Sequence, residues 1–224
     1  MSVAFATLLV HIIAGSTAML CGALALLSVK GGRVHRRAGT VFLVVMILIG
    51  LSTIVLTFIR PNLFLLFLGL FGLYLVIWGR LALTRKRLAP GQPGPRSHLL
   101  PTLLFGLSSL AFLAVALRNG APIFVVFVGL ALLLVRGHLG RLRHGGEHRL
   151  HWLADHVFGF SIAYIAGLTA VLVVNTTPHL PPTLPLLFLV WLGPTAVGVP
   201  MVIRYARKLR RKAEGAQTTS GAER

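Results

Sequence analysis

Histidine is the chemistry-bearing residue of this chain. Nine histidines stand in a sequence of 224 residues that holds only four acidic residues and one cysteine. Four of the nine lie in one stretch, HGGEHRLHWLADHVFGFSIAY, His144 to Tyr164. That stretch also contains Asp155, the one acidic residue placed to touch a membrane. On a helix His148, His151 and Asp155 fall at i, i+3 and i+7 and share a face, with His156 on the flank. Imidazoles and a carboxylate on one face can ligate a divalent metal. The plainer reading of the same residues is two solvated loop histidines and an aspartate that neutralises a nearby arginine. A helix N-terminus suits such a carboxylate.

A second pattern links distant segments. Arg33-Val-His35 is followed by Phe42, Arg96-Ser-His98 by Phe105, and Arg149-Leu-His151 by Phe158. Each reads R-x-H-x6-F at the entrance of an apolar run. Common ancestry predicts three helical hairpins on one plan, followed by a seventh helix; the alternative is chance, since Arg136-Gly-His138 is another R-x-H pair and Phe is frequent in the spans. Such repeats accompany binding at the repeat interface in membrane proteins. If the hairpins pack as a bundle, His35, His98 and His151 converge on one vestibule together with Asp155 or His156. Arg33, Arg36, Arg96 and Arg149 then stand at its mouth. Protonated histidines there favour an anion, and neutral ones beside Asp155 a divalent metal. His11 lies alone near the opposite end of the first run, where an unpaired histidine is costly. It is a candidate outer-side site, and b-type haem is the cofactor that axial histidines on neighbouring helices would hold.

The elements that position these residues are membrane spans. The chain is 56% hydrophobic, beyond the roughly 45–50% of soluble domains, and its mean hydropathy is +0.85. Apolar runs cover Val3–Val29, Thr40–Ile59, Leu63–Leu83, His98–Leu117, Pro122–Val135, Trp152–Val174 and Leu186–Ile203. The first is longer than a signal h-region of about 7–15 residues. The fifth is short, about 21 Å of helix against a bilayer core of about 30 Å. It is either a re-entrant segment or a helix that continues through Arg136–Leu142 with snorkelling arginines. Pro194 and Pro200 interrupt the seventh. The expected fold is therefore an all-α bundle of seven transmembrane helices over 1–203. A basic, disordered tail is expected over 204–224.

Charge sets the orientation. Formal net charge is +18, a balance that in a soluble domain points to nucleic acid. Here the charge sits in short loops between apolar runs, so topology explains it and nucleic acid is excluded as the partner. Lys30, Arg33, Arg36 and Arg37, then Arg85, Lys86, Arg87 and Arg96, then Arg136, Arg141, Arg143 and Arg149 occupy alternate loops. The intervening loops carry Arg60, Arg118 and no charge at all. By the positive-inside rule the N-terminus is outside and the C-terminus inside. The partners this implies are the bilayer and its anionic headgroups. Walker, nucleophile-elbow and HExxH motifs are absent, as are carboxylate pairs.

Two stretches resemble a known group. HIIAGSTAMLCGALALLSVKGGRVHRRAGTVF, His11–Phe42, and WLADHVFGFSIAYIAGLTAVLVVN, Trp152–Asn175, are similar to blocks of the bacterial multi-pass family called domain of unknown function 2306. The resemblance marks His11, His35, Arg36 and His156 as signature positions. It implies a bacterial inner-membrane protein and no established activity. Two functional expectations follow. One is a membrane redox, metal-binding or haem-binding protein that uses inner-side histidines. The other is a small transporter or anionic-lipid-binding module with an arginine and histidine vestibule.

Overall fold

A computed structural model describes residues 2–146, 150–181 and 184–222, with side-chain surroundings for all of these but 184, 210 and 212–222. Seven α-helices follow in order: α1 Val3–Leu27, α2 Arg33–Ile59, α3 Leu63–Ala82, α4 Leu99–Arg118, α5 Pro122–His144, α6 His151–Thr176 and α7 Leu184–Ala222. Short 3-10 turns occupy Leu83–Arg87, Arg96–His98 and Thr177–His179. No strand occurs among the described residues. All seven helices are long and apolar enough to cross a bilayer, so this is an integral, multi-pass membrane protein. Helices are the natural solution there, because hydrocarbon offers backbone N–H and C=O groups no partner outside the segment.

One boundary decides between two expected alternatives and two differ from the sequence expectation. The fifth helix continues through Arg136–Leu142 and is not re-entrant in length. It runs 23 residues, from a proline at its first position to His144, or roughly 35 Å at helical rise. Pro122 starts it because its missing N–H is one the first turn leaves unused anyway. Next, α2 begins at Arg33 and not at Thr40, so Arg33, His35 and Arg36 lie on helix and not in a loop. Finally, α7 continues past Pro194, Pro200 and Ile203 to Ala222. Its last part is rich in Arg, Lys and Ala, all good helix formers.

The chain divides into two compact units, Met1–Val76 with Ser161–Ala196, and Ile77–Phe160 with Val197–Arg224. In the first, α1 packs on α2. The buried face of α1 is Ala14, Ala18 and Gly22, spaced four apart, and small residues at that spacing let helices approach closely. A Cβ on Gly22 would lie 2.3 Å from the Tyr164 ring. The buried face of α2 includes Phe42, Met46, Gly50 and Thr53. Gly50 receives Leu73, and Thr53 and Met46 abut Gly69 and Gly72.

In the second unit α4 packs on α5. The Pro/Gly-rich segment after α3 folds onto the end of α5. Gly94 N–H donates to Leu142 O at 2.9 Å and Gly91 N–H to Gly146 O at 3.0 Å. The first of these bonds satisfies one of the last carbonyls of α5, which the helix itself leaves open. Gly145 follows with φ +74°. A Cβ there would sit 2.5 Å from the Gly91 carbonyl carbon, so both conformation and space demand glycine.

Candidate functional site

Asp155 lies in the second turn of α6 and is 5% exposed. A carboxylate so buried needs compensation, and the second unit supplies it twice. Arg85 Nη2 donates to Asp155 Oδ2 at 2.8 Å, and Arg141 Nε lies 2.9 Å from Oδ1. The first is an aligned hydrogen bond. The second is a charge contact, because the Arg141 Nε–H is not aimed at the oxygen. Arg85 comes from the 3-10 turn that extends α3, and Arg141 from α5. One carboxylate therefore ties three segments together. The Arg85 side chain is 1% exposed, whereas that of Arg141 is 35% exposed and reaches solvent or headgroup.

Aromatic rings close the cluster. The His138 ring of α5 stacks on Trp78 of α3, with centroids 3.7 Å apart and planes 5° from parallel. The Arg85 guanidinium carbon lies 4.7 Å from the Trp78 ring centroid and that of Arg141 lies 5.9 Å away. Both are within cation–π range. Trp78, Arg85 and His138 are all essentially inaccessible. Arg85 and Asp155 balance each other in the buried part, and the partly exposed Arg141 brings the whole cluster to net +1. It also holds unused donors. Trp78 Nε1–H and Arg85 Nε–H are buried and have no hydrogen-bond acceptor among the described residues.

His98 borders the group. Its Nε2 is 3.2 Å from the Thr84 hydroxyl, which gives its own proton to Leu81 O at 2.8 Å. That hydroxyl must accept from His98 Nε2–H, which assigns the tautomer. His98 Nδ1 is buried without a hydrogen-bond partner among the described residues.

The other expected site residues take separate places. His35 Nδ1–H donates to Ala25 O at 2.9 Å. Lys30 Nζ bonds Ala25 O at 3.1 Å and also Leu26 O. Together they close the C-terminal end of α1, where carbonyls lack helical partners. His35 thus serves as a helix-end partner within the first unit. Arg33, Arg36 and Arg96 are exposed. His151 is the buried first residue of α6 and packs its ring against Gly146, where a Cβ would lie 2.0 Å from the ring. His156 Nδ1–H donates to Gly79 O at 3.0 Å, and its ring meets Phe160 at 4.8 Å. The three R-x-H histidines sit at different registers: inside α2, in the turn before α4 and at the start of α6. His11 Nδ1–H donates to Ser52 Oγ at 2.8 Å, and Ser52 passes its own proton to Ile49 O. This interhelical bond meets the cost of a histidine within a span.

Of the expected metal trio His148, His151 and Asp155, the structure describes the last two only. His148 and Arg149 lie outside the described residues. Both oxygens of Asp155 face guanidiniums, so a divalent cation there would meet two positive charges. No group of three metal-ligating side chains occurs among the described residues.

Sequence reasoning placed Asp155 and His98 in the site but missed Trp78, Arg85, His138 and Arg141. Helical spacing held the signal. Trp78 and Arg85 are seven apart, and His138 and Arg141 are three apart, each pair on one face. No protein-family model, curated protein or solved structure matches the chain.

Proposed function

We propose that this protein binds, and carries across or along the membrane, a small anion of the phosphate type, held at the cluster of Trp78, Arg85, Arg141 and Asp155. The observation that carries this reading is the pair of buried, unpaired N–H donors, Arg85 Nε and Trp78 Nε1, in a group of net charge +1. Buried donors are rarely left unmade, and donors without acceptors, beside excess positive charge, suit an acceptor-rich anion. Ionisable groups inside spans are functional candidates by default. The partly exposed Arg141 offers the route in: its guanidinium can hand over from Asp155 to an arriving anion. The metal or haem alternative rests on other histidines, of which His98 borders the cluster and His148 lies outside the described residues.

The same reading places the protein in a bacterial cytoplasmic membrane, N-terminus out and C-terminus in. The alternating arginines of the loops support the orientation. The likeness of His11–Phe42 and Trp152–Asn175 to a bacterial membrane family supports the compartment.

The test is binding by the purified protein in detergent, read as a saturable rise in melting temperature. Inorganic phosphate and a short-chain phosphatidylglycerol are titrated against chloride at equal ionic strength. Stabilisation by phosphate assigns a free anion, and stabilisation by the lipid alone assigns a headgroup. Either should vanish in Arg85→Lys, which keeps the charge but loses the planar donor fork. A protein that neither ligand stabilises, or one whose visible spectrum carries a Soret band, overturns the reading.

A further inference from the structure

The outer face of α5 carries a second feature, separate from the buried cluster and independent of it. Along Pro122–His144 the buried residues Ala131, Val135, His138 and Leu142 form one side of the helix. Leu132, Arg136, Leu139, Gly140 and Arg143 fall on the other side by helical spacing. They line an open groove together with Val135 and His144. Arg136, Arg143 and His144 are exposed, and no acidic residue lines the groove. Gly140 is its floor: a Cβ there would meet nothing within 4 Å. Along the helix Leu132 and Val135 thus begin the groove, and Arg136, Arg143 and the exposed His144 alternate with Leu139 and Gly140 toward its end.

We propose that this groove is a seat for one anionic phospholipid of the surrounding bilayer. Charge complementarity selects the occupant. An acyl chain lies along Leu132 and Leu139 over the gap at Gly140. The phosphate meets Arg136 and Arg143 near the interface, where long basic side chains reach from a span. Two guanidiniums and no carboxylate exclude a cationic headgroup and leave a zwitterionic one with half its charge unmatched. The neighbouring Arg141 points the other way, to Asp155, so α5 separates an exposed basic pair from the one arginine that meets the buried carboxylate.

The experiment is native mass spectrometry of the full chain in detergent, titrated with phosphatidylglycerol or phosphatidylcholine of the same acyl chains. The expected result is a first phosphatidylglycerol adduct at a clearly lower lipid concentration than for phosphatidylcholine. In Arg136→Gln/Arg143→Gln that preference should fall by about 30-fold, at about tenfold per 1.4 kcal/mol and about 1 kcal/mol per basic residue. Gly140→Leu keeps every charge and fills the groove. It should abolish the first adduct, and the open space at Gly140 lets the helix accept it. Arg33→Gln/Arg36→Gln, an exposed pair on α2, should leave the preference intact. Equal loss in that control pair, or full retention in Gly140→Leu, would mean diffuse surface charge and overturn the seat. Equal affinity for the two lipids in the wild type overturns it outright.

Discussion

Asp155→Asn is the most informative single change. The substitution keeps shape and volume and removes one charge. Arg85 is then left as a guanidinium 1% exposed with no anion against it. Breaking a buried ion pair from one side costs about 3–5 kcal/mol, because the surviving charge stays desolvated. Arg141 adds little to that sum. Its side chain is 35% exposed and can turn outward, so its share belongs with exposed pairs at about 0–1 kcal/mol. The working estimate for Asp155→Asn is therefore about 4 kcal/mol, a fall in melting temperature on the order of 10 °C for a chain of this size. Arg85→Gln alone strands the carboxylate less, since Arg141 remains, and should cost less. The double variant removes both buried charges and should lie well short of the sum, with a coupling energy of about 2 kcal/mol or more. The assay is reversible unfolding in mixed micelles, followed by tryptophan fluorescence and helicity for all three variants. If Asp155→Asn melts within a degree of the wild type, the carboxylate does not compensate a buried cation and the reasoning fails. Additive single and double variants would refute the pairing in the same way.

Further expectations follow from neighbouring contacts. Trp78→Phe keeps an aromatic face for His138 and Arg85 and removes a buried, unpaired N–H. It should stay within about 1 kcal/mol of wild type, since relief of the donor offsets lost volume. It should nonetheless weaken phosphate-dependent stabilisation in the thermal assay. Gly22→Ala places a methyl 2.3 Å from Tyr164 and should cost about 1–3 kcal/mol by overpacking. Gly15→Ala on the same helix meets nothing within 4 Å and should be neutral or slightly stabilising in the same melt. For orientation, a fluorescent reporter fused after Arg224 should light in the cytoplasm, and a periplasm-dependent phosphatase fused there should stay silent. The reverse pattern would overturn the proposed N-out, C-in arrangement.

The helices were legible because hydrocarbon imposes one rule on every residue of a span. A run of about 20 apolar residues has no other way to satisfy its backbone. At α5 the rule stops at the first charge and so leaves two readings, re-entry or a helix continued by snorkelling arginines, of which the second holds. Arg136 ended the apparent run, yet its long stem lets the helix continue to His144 while the head reaches water. It misread the start of α2 for the same reason, treating Arg33–Arg37 as loop. The site was less legible. That a lone buried carboxylate needs a cation follows from electrostatics, but which of many arginines supplies it does not. Arg85 and Asp155 are 70 positions apart, and nothing local in either stretch names the other. The histidine repeat drew attention through its regularity. The structure uses its members unequally: His35 closes the end of a helix, His98 shares a threonine proton network, and His151 fills the space over a glycine.

The basic loops of this chain carry two kinds of arginine, and conflating them hid the site. Arg33, Arg36, Arg96, Arg136 and Arg143 are exposed and suit headgroups and orientation. Arg85 is inaccessible and lies beside a tryptophan and a carboxylate. A charge that served only to orient the chain would gain nothing from burial, because the surface potential acts outside the protein and falls off within a Debye length. Burying Arg85 instead costs desolvation, which Asp155 offsets in part and the Trp78 face offsets further. Replacing Arg85 and Asp155 together with apolar residues of like volume would often be neutral or stabilising in such a setting. Stability alone therefore does not account for the pair, whereas the proposed anion, which needs the guanidinium, would. A Met or Leu pair at positions 85 and 155 that matches wild-type stability but no longer responds to phosphate would separate the two roles.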